Sequence, residues 1–135
     1  MTSEPSDRDL MVTTSARQQM VDITEQVQAA VAVSGVVSGT CLVYVPHTTC
    51  GVAVNEGYDP DVQRDVLLQL TKLAPKDPGF AHAEGNSDSH IKAIMVGASQ
   101  SLPVRDGRLR LGRWQAVYLC EFDGPRRREV WVSTK

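Results

Sequence analysis

The chain has 135 residues, 41% of them hydrophobic and 22% charged, which suits one globular domain with its own core and leaves little room for two. Its 14 Lys and Arg against 16 Asp and Glu give a formal net charge of -2, excluding the broad cationic surface that non-specific nucleic-acid binding needs. The apolar runs Ala29 to Val33, Cys41 to Val45 and Ala116 to Cys120 fall far short of the roughly 20 residues of a membrane helix.

Residues 1–9 read as a loose polar tail, and residues 10–135 as a single domain. The amino terminus is acidic and unlike a secretory signal. Three cysteines in such a chain do not suggest a disulfide framework, so a cytoplasmic, reduced setting is expected. Leu10–Thr14 and Met20–Ile23 predict two short strands around a polar turn at Ala16-Arg17-Gln18. A helix follows, capped by Asp22 or Thr24, with Val27, Ala30 and Val31 as its apolar stripe and Gly35 as its end. Thr40–Val45 and Gly51–Asn55 are β-rich. Asp59-Pro60 starts a second helix, whose Val62, Val66, Leu67, Leu70 and Leu73 recur at helical spacing and predict one face packed on a sheet.

Ala74 to Ser87 is a long loop carrying Pro75, Pro78, Gly79 and Gly85, and loops of this length in a compact domain are often functional. A third helix begins at Ser87 or Asp88 and stops at Gly97. The remainder predicts strands over 99–104, 108–111, 115–121 and 128–133, with Asp106-Gly107 as a hairpin turn. The sum is an α+β fold, mostly antiparallel, with about three helices.

His47, His82 and His90 all lie in or beside turns. On one continuous helix His82 and His90, eight residues apart, would be about 12 Å apart along the axis, too far to share a metal. Gly85-Asn86 breaks the helix between them. Spacing therefore leaves two readings open: a three-histidine zinc site with an open position, or three unrelated polar side chains. His90 would sit in a first helical turn, where free N–H groups keep an imidazole neutral. Ser87 and Asp88 are also candidate caps.

Glu56, Glu84, Asp88, Glu121 and Asp123 are the carboxylates available for proton transfer, with Glu84 and Glu121 favoured by their polar, glycine-containing surroundings. Arg126-Arg127-Arg128 precedes a strand. Three cations in a row suit phosphate, but strand alternation points Arg127 away from its neighbours, so one arginine in a site is expected. Cys50, three residues after His47, invites a thiolate–imidazole reading beside the plainer one of a buried thiol. Cys41, Cys120, Trp114 and Trp131 read as packing residues.

Several segments resemble the signatures of the YjbQ family, in order from about Met20 to Val132. They are His47-Thr48-Thr49, then Asn55-Glu56 with Asp59-Pro60-Asp61-Val62, then Glu84 through Ala93. Leu111-Gly112-Arg113-Trp114-Gln115 and Glu121 through Arg126 complete the set. The resemblance implies a β-sandwich-like core, a homotrimer, and a pocket where His47, His82 and His90 gather around a divalent ion, zinc by expectation. It also implies a secondary thiamine-phosphate synthase activity, joining a pyrimidine diphosphate to a thiazole phosphate with release of pyrophosphate. Related sequences frequently carry alanine at the position of Cys50.

In that scheme the histidines hold the metal against a phosphate oxygen, and Glu84 or Glu121 handles protons. Asn86, Ser87, Asp88 and Arg126 bind the small phosphorylated substrate and the departing pyrophosphate. The sequence lacks an aspartate-rich magnesium-diphosphate motif, so a metal-assisted phosphate hydrolase and a non-catalytic metabolite-binding module stand beside the synthase. No nucleic-acid or membrane partner is expected.

Overall fold

Alternating burial along the strands builds two antiparallel sheets over one core in the computed structural model, which describes residues 6–135. The first sheet contains β1 (Ser6–Thr13), β8 (Arg127–Thr134), β3 (Gly39–Tyr44), β5 (Ser99–Arg105) and β6 (Arg108–Leu109), in that order. The second contains β2 (Gln19–Asp22), β7 (Gln115–Glu121) and β4 (Cys50–Glu56). Three helices, α1 (Thr24–Ser34), α2 (Pro60–Leu73) and α3 (Ser87–Val96), complete the α+β fold.

In β3, Cys41 and Val43 point inward while Leu42 and Tyr44 point out. In β8, Arg128, Val130, Val132 and Thr134 point inward. These inward faces meet Val52 of β4, Val117 and Leu119 of β7, and Val27, Ala30 and Val31 of α1. The opposite face of β7, through Ala116, Tyr118 and Cys120, packs with Phe122, Ala93 of α3, and Leu67 and Leu70 of α2. β7 is thus covered on both faces, which is why Ala116 to Cys120 reads as a continuous apolar run rather than an alternating one.

Two sequence expectations change here, on the tail and on Leu73. The tail expected over residues 1–9 is a strand from Ser6, paired with β8 from Ser6↔Thr134 to Thr13↔Arg127; residues 1–5 lie outside the described residues. Main-chain pairing holds this edge strand, and its outward Asp7, Arg8 and Asp9 are the charges an edge carries against further pairing. The turn at Ala16-Arg17-Gln18 lies between two strands as expected, and it carries the chain from one sheet to the other. Leu73 of α2 is exposed, and that helix contacts the core through Leu67 and Leu70 with no residue fully buried.

Most other local signals hold. Asp59 caps α2 by accepting from Asp61 N–H at 3.0 Å, followed by Pro60 in the first turn. The cap of α1 differs from expectation: its N-cap is Ile23, with no side-chain cap, and Asp22 Oδ1 accepts instead from the backbone N–H and the hydroxyl of Thr24, the first helical residue. Asp106 and Gly107 both take positive φ, 54° and 74°, as a two-residue hairpin turn requires. Among the described residues no helix is long and apolar enough to cross a membrane.

Candidate functional site

Three connections converge on one cavity of about 410 Å³. The β3–β4 connection contributes His47, Thr48 and Thr49, and the loop entering α3 contributes His82, Glu84 and Asn86. His90, Arg126 and Arg128 complete the polar lining. The three histidines therefore share one cavity, although 35 residues of chain separate His47 from His82. A larger groove of about 570 Å³ lies elsewhere, where Arg113 stacks 4.9 Å over Trp114, and contains no imidazole.

The rings of His82 and His90 meet edge to face with centroids 5.4 Å apart. This is the geometry of an edge-to-face ring contact. His47 does not join it as placed. The ladder between β3 and β8 ends at Tyr44↔Trp131, and the Glu129 N–H farther along β8 donates to His47 Nε2 at 2.9 Å. That lone pair is spent, and a neutral ring then carries its proton on Nδ1. Burial, then the Arg128 charge, lowers the proton affinity of His47 below its ordinary value. Among the described residues no three His, Cys, Asp or Glu side chains surround a common point. The three expected histidines thus share the cavity lining, with His82 and His90 in contact and His47 held separately by β8.

The proton-transfer candidates separate by burial. Glu84 stands at the rim, exposed, with Oε2 3.9 Å from His82 Nε2. Glu121 is fully buried and accepts five hydrogen bonds, from Thr14 Oγ1, Arg128 Nε and Nη2, and the N–H groups of Phe122 and Asp123. Burial alone would raise its pKa, but Arg128, Thr14 and the Asp123 N–H outweigh burial and hold it below the ordinary carboxylate value. Its lone pairs are committed, so Glu121 is a structural anchor for Arg128 rather than a proton carrier.

The substrate-binding candidates divide likewise. Arg126 is half exposed on the cavity wall, its Nη2 bonded to Asp123 Oδ2 at 2.8 Å and its Nε to the Asp123 carbonyl at 2.7 Å. Asn86 is buried, donates from Nδ2 to Asp123 Oδ2 at 2.8 Å, and leaves Oδ1 without a hydrogen bond among the described residues. Ser87 and Asp88 are not in the lining, and neither caps α3, whose N-cap is Asn86. Asp88 instead lies buried between Arg17 and the fully buried Lys92, at 3.3 and 3.5 Å. Burial works against its charge, yet these cations hold its pKa below the ordinary value.

Sequence reasoning expected one arginine of the Arg126-Arg127-Arg128 run in the site and chose Arg126, where the cavity takes Arg128 as well. Arg128 is 3% exposed, with Nε and Nη2 engaged by Glu121 and Nη2 also donating to Thr49 Oγ1 at 2.7 Å. The signal was the alternation that sends Arg127 outward and hence Arg128 inward. Cys50 is buried, and burial pushes its thiol up to about 12, which removes the thiolate–imidazole reading. Trp114 and Trp131 are half exposed rather than core.

Fold and cavity together define a class: α+β domains of two antiparallel sheets with a histidine- and arginine-lined cavity at the strand connections. The chain belongs to the YjbQ family, whose model, described as UPF0047 protein YjbQ-like, matches residues 8–135. It is 47% identical over 122 residues to UPF0047 protein MJ1081 of Methanocaldococcus jannaschii, covering 90% of this chain and 88% of that one. It is 44% identical over 127 residues to UPF0047 protein YugU of Bacillus subtilis, covering 93% and 96%. A crystal structure of an uncharacterised YjbQ/UPF0047 protein from Clostridium acetobutylicum superposes with a TM-score of 0.92 at 47% identity, over 95% of this chain and 99% of that one. A protein of unknown function from Sulfolobus solfataricus gives a TM-score of 0.92 at 33% identity, over 97% and 96%.

Proposed function

We propose that the cavity binds a small phosphorylated substrate and acts on it, as a thiamine-phosphate-synthase-like transferase that joins a pyrimidine diphosphate to a thiazole phosphate and releases pyrophosphate. The observation that carries this reading is the lining itself: two arginines and three imidazoles against one rim carboxylate in about 410 Å³. Such a lining favours a multiply charged anion over an apolar ligand.

Arg126 stands where a phosphate enters, its guanidinium oriented by Asp123. Glu84, exposed beside His82, is the carboxylate positioned to exchange a proton with solvent. A divalent ion such as zinc on His82 and His90 would supply a Lewis acid for a phosphate oxygen. The decisive experiment incubates the full chain with both precursors and follows joined product and pyrophosphate. Product that disappears in His90→Ala supports the transferase. Phosphate release without joining supports the hydrolase, binding without turnover supports the metabolite-binding module, and no binding at all removes the reading.

A homotrimer is part of the proposal. Met11, Leu42, Tyr44 and Trp131 are each 40–43% exposed on the outer face of the five-stranded sheet, with Tyr44 and Trp131 rings 5.8 Å apart. Apolar surface gathered on a sheet in this way suits a subunit contact. Light scattering on the purified protein should give three times the chain mass, and Trp131→Glu should reduce it; a monomer at micromolar concentration refutes the assembly.

A further inference from the structure

Resting on the reading of a phosphorylated substrate, we infer that His47 works with Arg128 rather than with His82 and His90. The Nδ1–H of His47 and Nη1 of Arg128 form a fixed two-donor cradle for a phosphate oxygen.

The two side chains are tied to adjacent residues of one strand. His47 Nε2 accepts from the backbone N–H of Glu129, and Arg128 is the residue before it. With Nε2 committed, the neutral imidazole places its hydrogen on Nδ1, the tautomer less favoured in free histidine. The Arg128 fork is committed in the same way. Its Nε and Nη2 are bonded to Glu121 and Thr49, while Nη1 makes no hydrogen bond among the described residues. Both side chains line the cavity. Each is thus pinned through its other nitrogens, leaving the single Nδ1–H of His47 and the two N–H bonds of Arg128 Nη1 without a protein acceptor among the described residues.

This arrangement has the parts of an oxyanion site. The donors are oriented before the ligand arrives, so little reorganisation accompanies binding, and the cation is nearly excluded from water. A ligand with one oxygen at this cradle and others near Arg126 carries several acceptors on one centre. That is the chemistry of a phosphate or diphosphate rather than of a single neutral carbonyl. The assignment also explains why only His82 and His90 approach each other: the third histidine serves the anion.

The test titrates inorganic pyrophosphate and, separately, zinc into the full chain by calorimetry. His47→Phe keeps a planar ring and removes the donor. It should weaken pyrophosphate binding roughly 10- to 100-fold, the range for a hydrogen bond to a charged group, and leave zinc affinity unchanged. His90→Ala should do the reverse. Long-range proton–nitrogen NMR on the unsubstituted chain reads the tautomer directly, without relying on any variant that folds poorly, and should show His47 protonated on Nδ1. Zinc binding lost in His47→Phe with pyrophosphate binding retained, or an Nε2–H tautomer, overturns the inference. If the unsubstituted chain binds pyrophosphate and His47→Phe binds it equally, the inference fails alone. If the unsubstituted chain binds neither pyrophosphate nor phosphate, the phosphorylated-substrate reading fails with it.

Discussion

Arg128 and Glu121 form a buried, two-pronged ion pair, Nε to Oε1 at 2.9 Å and Nη2 to Oε2, in which neither residue is more than 3% exposed. Removing one partner strands the other charge away from water. Arg128→Met should therefore cost about 3–5 kcal/mol of stability, measured by urea unfolding. The double variant Arg128→Met with Glu121→Leu should recover part of that loss, because no uncompensated charge remains. A single variant as stable as the parent would mean the pair is solvated.

Acid should weaken the fold in two stages. His47 has a folded pKa below its ordinary 6.5, so the unfolded chain binds the proton first. Stability is complete above that value and falls as pH drops from it through the folded pKa. Glu121, Asp88 and Asp123 have folded pKa values below their ordinary 4.5, 3.8 and 3.8. Their contribution is complete above those values and is lost at lower pH, as the folded carboxylates protonate. Urea midpoints at pH 7.5, 5.5 and 3.5 should descend at each step, with His47→Phe abolishing the first. A midpoint constant between the two higher values would contradict the His47 assignment.

The elements were legible in the sequence wherever side chains reported their own surroundings. Cys41 and Val43 alternate with Leu42 and Tyr44, Asp59-Pro60 announces α2, and Asp106-Gly107 announces a hairpin. Ser6 to Asp9 escaped because the pairing that holds them is main-chain and their side chains are polar or charged. The candidate site was half legible. His47, His82, His90, Asn86, Glu84 and Arg126 share the cavity, yet spacing left the histidines open between a metal set and unrelated positions. Only the resemblance drew them together. The roles of Glu121 and Arg128 depend on the proximity of β7 to β8 across the core, and no local pattern reports which buried carboxylate meets which cation. The commitment of His47 Nε2 depends on where β3 leaves the ladder, a register fact invisible in the chain itself.

Thiol chemistry should be silent in the native protein. Burial pushes Cys41 up to about 11 and Cys50 and Cys120 to about 12, so the thiolate needed for attack is scarce at neutral pH. A disulfide reagent at pH 8 should label none of the three cysteines within minutes, and all three once the chain is unfolded in guanidinium. Rapid single labelling of the folded protein, traced to Cys50, would restore the nucleophile reading.

The placement of His90 depends on a contact one residue earlier in α3. Ser89 is fully buried, donating from Oγ to the Phe122 carbonyl at 2.6 Å and accepting from Arg17 Nη2 at 3.2 Å. Its hydroxyl thereby fastens the first turn of α3 to the segment that leads into Asp123, Arg126 and Arg128. Ser89→Ala leaves that carbonyl without its donor, at a cost of roughly 1–3 kcal/mol. Because the loss falls beside His90, the spacing of the His82–His90 pair should loosen as well. With zinc held by His82 and His90 as proposed, titration should show weaker binding in Ser89→Ala even at temperatures where the variant is fully folded by circular dichroism. Unchanged zinc affinity in the folded variant would show that α3 is held in place by its apolar contacts alone, through Ala93 and Val96 against the β7 face.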